Sequence, residues 1–213
     1  MTLLLHPTYF PNIATMAALV RYKVIWETCD NYQKQTYRNR CYICTDQGKH
    51  MLNLPIKHVG GEQGRQKYRD VLLDNSYAWQ RQHWRTLQTA YRTSPFFEFY
   101  EDDFAPLFSR PHTHLLDFNL QTIEIMCNGL QITVPEQRTT TFSKNPPSQG
   151  STKDLRHLVN AKAQLQFPME AYTQVFGDRH GFLSNLSCLD LLFNEGPNTL
   201  GYLKSVNLPF WDA

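Results

Sequence analysis

The sequence predicts one α/β domain spanning residues 1–213, with a mixed β-sheet, an N-terminal βαβ unit and flanking helices. Three observations lead there. Two short apolar runs, residues 3–5 and 23–29, bracket a helical pattern within thirty residues, and strand–helix–strand at that spacing makes a parallel pair with a right-handed crossover. Amphipathic helical patterns alternate with β-branched and aromatic runs further on. Finally, 213 residues with 41% hydrophobic and 19% charged content can bury a core without disulfides or metals, unlike a disordered chain.

The elements follow in order. The Leu run at 3–5 stops at His6-Pro7 and reads as a short buried strand. Pro11 and Asn12 open a helix with Ile13, Met16, Ala17 and Val20 on one face. Residues 23–29 return as the second strand. Residues 41–45 and 51–54 form a hairpin about Gly48 that Pro55 ends. Residues 59–66, with three Gly, are a loop, and 68–73 read as another strand. The strongest helix covers 76–93, where Trp79, His83, Leu87 and Tyr91 recur every four residues. Pro95 stops it, and nothing regular is assigned before Pro111. Beyond that proline Leu116, Leu120, Ile123, Cys127 and Leu130 stand at helical spacing, with Gly129 near the end. Residues 136–153, rich in Thr, Ser, Pro and Asn, are expected to be a flexible loop. Short helices are expected at 154–159, at 187–193 behind a Ser cap, and at 198–203.

Composition narrows the partners. A net charge of +2 gives no whole-chain electrostatic case for nucleic acid, so a small molecule is the expected partner. No apolar run reaches the length of a membrane span, and the first residues lack the basic start and cleavage-like site of a secretory signal. Five Cys, an odd number with three in apolar contexts, fit a reducing compartment, and the cytoplasm is the expected location. The oligomeric state has no signature. No phosphate-cradling Gly loop, nucleophile elbow or dinucleotide fingerprint occurs, so no cofactor is expected. Cys41-x-x-Cys44 lies in a strand pattern that sends i and i+3 to opposite faces, and it has no second pair. His112-x-His114-x-x-Asp117 has no partner elsewhere in the sequence, so no metal is expected either.

Three segments could carry chemistry. His6-Pro-Thr-Tyr9-Phe-Pro11 lies where a first strand ends, the edge at which open α/β sheets bind ligands; the alternative is a proline-shaped turn with a hydrogen-bonded His. In 32–40, basic groups interleave with aromatics. If extended, Lys34, Thr36, Arg38 and Arg40 share one side, suited to phosphate or carboxylate, while Tyr37 and Asn39 share the other; the alternative is a solvated basic strand edge. On the Trp79/His83/Leu87/Tyr91 face, an imidazole and an indole could hold a sugar, or the His could be an ordinary hydrogen-bonded core residue.

These segments coincide with a known pattern. His6-Pro-Thr-Tyr-Phe-Pro11, then Lys34 with Asn39-Arg40, then Leu52-Asn-Leu-Pro55, then Trp79-x-x-x-His83 leading to Tyr91, and a late block from Tyr172 to Phe176 and from Leu186 through Asp190 to Pro197, resemble the WbqC-like family in the same order over most of the chain. The resemblance implies a cytoplasmic bacterial protein of O-antigen-type surface-polysaccharide biosynthesis. It implies a transferase that moves an acyl or aminoacyl group to an activated, nucleotide-linked amino sugar. Lys34, Asn39 and Arg40 would hold the anionic or amide group, Tyr9 and Trp79 would stack, and His83, with His6 and Lys34, would supply catalysis. Asp190, inside an otherwise apolar helix, would either face solvent or be buried and paired, and the second would place it near those cations as a substrate-binding residue. Many relatives carry Gln at the position of His6, and this chain lacks a Gly- and Tyr-containing segment that they have before the final block. Two other classes stay open: a thiol enzyme using Cys41 or Cys188 with His83 as base, and a non-catalytic module binding through 32–40.

Overall fold

Thr2–Leu5 (β1), Ile13–Arg21 (α1) and Lys23–Trp26 (β2) form the expected βαβ unit in a computed structural model that describes residues 1–57, 66–145, 152–163 and 168–208. β1 and β2 pair in parallel, Leu3 opposite Val24 and Leu5 opposite Trp26. Asn12 caps α1 by accepting from the Thr15 N–H at 2.9 Å. Residues 13–19 are all buried, so α1 is enclosed on more sides than the single face its sequence shows.

Arg40–Thr45 (β3) and Gly48–Asn53 (β4) are the expected hairpin, antiparallel from Arg40↔Asn53 to Thr45↔Gly48. Gly48 takes φ +90°, a backbone that a side chain would strain. The hairpin stands apart from the parallel strands, so parallel and antiparallel pairing occur in two small sheets instead of one mixed sheet. The chain at Ser187 occupies the outer edge of β3, donating its N–H to Tyr42 O at 2.7 Å.

Residues 68–73 are a 3₁₀ turn, Tyr68–Asp70, followed by single bridges, and not a strand. The buried Tyr68 turns its hydroxyl inward to Pro7 O at 2.8 Å. The glycine loop predicted at 59–66 lies outside the described residues except for its last position. Three helices then pack together: Trp79–Tyr91 (α2), Phe97–Phe108 (α3) and Leu115–Gly129 (α4). α3 occupies the stretch to which the sequence reading assigns nothing. It buries Phe97, Tyr100, Phe104, Leu107 and Phe108, and tolerates Pro106 in its last turn.

Thr152–Asp154 (β5) pairs in parallel with β1 on the side away from β2, giving the order β2-β1-β5. Of the segment expected to be a flexible loop, residues 152 and 153 therefore belong to a strand, and 146–151 lie outside the described residues. The portion before them is docked beside β2: Trp26 N–H donates to Gln137 O at 2.8 Å, and Thr139 N–H to Trp26 O at 2.9 Å. The helix expected at 154–159 is a 3₁₀ turn, Arg156–Val159. Gly177–His180 (α5), Cys188–Glu195 (α6) and Thr199–Ser205 (α7) complete the chain, with Ser187 capping α6 as its sequence indicates. No helix among the described residues is long and apolar enough to cross a membrane.

Gly196, at the end of α6, has φ +51°, and a Cβ there would sit 2.5 Å from the Phe96 ring. Phe96 is tied to the same place by its N–H to Phe193 O at 3.0 Å, so the added methyl must displace its ring. Gly196→Ala is expected to destabilise the fold by about 2–4 kcal/mol, read as a lower urea midpoint at unchanged slope.

Candidate functional site

The start of β3, the chain leaving β4, the 32–40 segment and the turn at 74–77 enclose a cleft of about 350 Å³. Hairpin register places its floor: Arg40 and Asn53 are the last cross-strand pair, so they stand side by side at the open end. Asn39 binds this end together, its Nδ2 donating to Asn53 Oδ1 at 3.0 Å and to Leu54 O at 3.3 Å. Tyr32 and Lys34 enter from the preceding loop, and Asp74 and Tyr77 from the turn before α2. Tyr77 is 63% exposed, unusual for a large aromatic residue.

The walls hold polar atoms that no described residue satisfies. The Tyr32 hydroxyl, Asn39 Oδ1 and Arg40 Nε are each buried without a hydrogen-bond partner among the described residues. Three such atoms on three residues of one cleft are a concentration that a folded core avoids. Burial pushes the Tyr32 hydroxyl up to about 12, against the charges of Arg38 and Arg40, so it remains a neutral donor at physiological pH. The cleft thus offers two cations, two phenol rings, three carboxamides (Gln35, Asn39 and Asn53) and one carboxylate.

The other residues singled out in the sequence lie elsewhere. Tyr9 and Trp79, 0% and 2% exposed, are core residues, and neither ring offers a face to a ligand. Tyr9 stacks on Phe118, and Trp79 meets the same ring edge-on. The Trp79 indole N–H donates to Asn75 Oδ1 at 3.3 Å. His83 lies beside them, with Nδ1 2.8 Å from the Tyr9 hydroxyl. The Asn53 backbone also hydrogen-bonds the His83 ring. The imidazole and the phenol share one hydrogen bond, with the donor set by the ring's tautomer. Burial lowers the imidazole to about 4, so it is neutral at pH 7. His83 is therefore a spacer between the core and the cleft residue Asn53, and not a wall of the cleft.

Asp190 is fully buried on α6, the second of the two expectations, but among the described residues no cation hydrogen-bonds it. Its partners are the Tyr91 hydroxyl at 2.7 Å, the Tyr172 hydroxyl at 2.6 Å and Gln174 Nε2 at 2.8 Å. Burial pushes its carboxyl above the usual range, against the pull of those hydrogen bonds. The expected approach to Lys34 and Arg40 fails because neutral donors satisfy the carboxylate inside the core. The 32–40 segment is likewise not extended: Gln35 adopts φ +62°, and Arg38 points inward at 1% exposure. The expected common side of Lys34, Arg38 and Arg40 is thus split, with Arg38 beneath and the other two in the cleft. His6 lies at the end of β1, bonded to Arg38.

Burial raises the thiols of Cys41 and Cys188 far above their ordinary range. All five cysteines are buried, and no hydrogen bond joins either of these thiols to an imidazole among the described residues. His112 spends Nε2 on Leu107 O at 2.7 Å, while His114 faces Asp117 at 3.6 Å. Among the described residues no group of three His, Cys, Asp or Glu side chains is placed to hold a metal ion. Asn53, Asp74 and Tyr77 were not singled out as site residues. Asn53 could have been found by pairing Arg40 across the predicted hairpin, whereas Asp74 and Tyr77 carry no sequence signal.

Residues 6–168 match the model of the WbqC-like protein family. The chain is also similar to the uncharacterized protein Rv1507c of Mycobacterium tuberculosis (strain ATCC 25618 / H37Rv), at 27% identity over 222 residues covering 92% of this chain and 91% of that protein. No solved structure matches the chain.

Proposed function

The chain belongs to the WbqC-like protein family, and from that premise we propose that it is a cytoplasmic transferase of surface-polysaccharide biosynthesis that passes an acyl or aminoacyl group to the amine of a nucleotide-linked sugar. The observation that carries this reading is the cleft itself, where Lys34 and Arg40 converge with Tyr32, Tyr77, Asn39 and Asn53 around unsatisfied wall atoms. Two cations of this kind suit a diphosphate: Lys34 supplies a compact charge, and Arg40 a planar fork. The exposed Tyr77 ring suits a base or sugar face. The Asn39 and Asn53 carboxamides can read hydroxyl or amide groups on the sugar.

Chemically, the sugar amine attacks the acyl carbonyl of an activated donor. A C–N bond forms, the bond to the donor's leaving group breaks, and the proton lost by the amine passes to the departing group. Asp74, the carboxylate of the wall, orients the amine through its hydrogens. Lys34 and Arg40 hold the diphosphate and fix the distance between the anchored end and the reacting nitrogen. His83 keeps Asn53 in place from behind.

Isothermal titration of the protein with UDP- and dTDP-linked amino sugars tests the reading. Binding is expected, and Lys34→Ala and Arg40→Ala are each expected to weaken it by about 10- to 100-fold, the worth of a charge-assisted hydrogen bond. Absence of heat with the whole panel, or full affinity in both variants, would end the proposal.

A further inference from the structure

Arg38 is 1% exposed, and its guanidinium lies over the Tyr68 ring at 5.0 Å. Its Nη2 is 2.8 Å from His6 Nε2 and 3.0 Å from Asp30 Oδ2, and its Nη1 is 2.9 Å from Asn31 O. A guanidinium has no acceptor, so His6 Nε2 receives the hydrogen and carries none of its own. The imidazole proton is then on Nδ1, which faces Glu27 O at 3.3 Å. The two hydrogens of Nη2 are both engaged, one on the imidazole and one on the carboxylate. The 3.3 Å between His6 Nε2 and Asp30 Oδ2 is the separation of two acceptors that share this donor.

These contacts join the two ends of the 30–38 segment to each other, since Asp30 and Asn31 open it and Arg38 closes it. They also join it to the carboxyl end of β1, where His6 stands. The middle of the segment delivers Tyr32 and Lys34 to the cleft. Its tip passes through Gln35 at φ +62°, a conformation that a non-glycine residue holds only when the surroundings impose it.

We propose that Arg38 is the positioning residue of the cleft, a clamp that fixes loop 30–38 and with it Tyr32 and Lys34, and that His6 serves it as a neutral hydrogen-bond acceptor and not as a proton-transfer group. The effect on ligand affinity rests on the reading of the cleft as an anion site; the clamp does not. Protonation of His6 would put a hydrogen where Arg38 donates and release the clamp. Around the imidazole stand Asp30, Arg38 and the ring of Tyr68, with Asp154 close enough to feel its charge. Glu27 turns its carboxylate away, toward Arg156 and the Cys29 N–H.

The test uses the full chain and two readouts, protection of the amides of residues 31–37 from hydrogen exchange and the Kd for UDP. Gln at position 6 can accept from Arg38 through Oε1 and donate to Glu27 O, whereas Ala can do neither. His6→Ala is expected to lower protection by about tenfold and to weaken UDP binding by a similar factor, while His6→Gln keeps both within about threefold of the wild type. Measured relative to the core amides that exchange through global unfolding, protection of the wild-type loop should fall as pH approaches 4, and that of His6→Gln should stay level over the same window. Equal loosening in both variants, or a loop in His6→Ala as protected as the wild type, overturns the proposal. Failure of the wild type to bind UDP with the expected protection pattern intact would overturn the cleft reading alone.

Discussion

Acidification from pH 7 to about pH 4 is expected to remove on the order of 6 kcal/mol of unfolding free energy, because two imidazoles are buried in the neutral form. Burial, with Arg38 adding to it and Asp30 opposing, brings His6 from 6.5 down to about 4, and burial brings His83 to about 4 as well. A group whose folded pKa is depressed below its unfolded value binds its proton more readily in the unfolded chain when that proton creates a charge. Stability from each His is thus complete above pH 6.5 and drains away as pH falls toward 4, by about 3 kcal/mol per group. Asp190 acts with the opposite sign: its raised carboxyl takes up a proton in the folded state first, and offsets part of the loss near the acid end. Because a domain holds about 5–15 kcal/mol in total, this loss is enough to bring unfolding close to pH 4. Urea unfolding at a series of pH values measures it directly. His6→Gln and His83→Gln should each flatten the curve by about half, and a stability that stays level from pH 7 to pH 4.5 would refute the account.

Asp190→Ala should cost about 3–5 kcal/mol at pH 7. The carboxylate joins three parts of the fold: α6, which carries it; the end of α2, through Tyr91; and the stretch before α5, through Tyr172 and Gln174. Alanine takes the shared acceptor from two phenol hydroxyls in the core, leaves the Gln174 amide only Leu183 O and the Tyr172 hydroxyl, and opens a small void. Asp190→Asn keeps the volume but turns an NH₂ toward donors, so it should cost about 2–3 kcal/mol. Tyr172→Phe, which removes one donor and leaves the acceptor with two others, should cost only about 1 kcal/mol. Chemical denaturation of the three variants gives the ordering; an alanine variant within 1 kcal/mol of the wild type would contradict it.

The elements legible in the sequence were those whose period is local. The βαβ unit, the hairpin and the helices α2, α4 and α6 announce themselves through apolar spacing, a capping Asn or Ser, and proline stops. α3 escaped because an aromatic-rich stretch between Pro95 and Pro111, with Pro106 inside it, resembles a chain that cannot sustain a helix. A proline in the last turn removes one backbone bond, and five buried side chains outweigh that loss. β5 escaped because it is three residues of TKD, polar by any measure. Its place is set by the open edge of β1, a feature no window around residue 152 contains.

The candidate site divides in the same way. Lys34, Asn39 and Arg40 were picked out as polar residues that a ligand would want, and the fold places them in one cleft. Tyr9, Trp79, His83 and Asp190 carry equal chemical promise, and the fold buries them. Sequence alone determined which side chains could do chemistry and where regular structure would start and stop, because both depend on residue type and on neighbours a few positions away. Only the tertiary structure decided which of those groups face a cavity and which face each other. Burial and hydrogen-bond partnership are set by segments far apart in the chain: Arg38 and Arg40 stand two residues apart, yet the end of β1 draws one inward while hairpin register opens the other to the cleft.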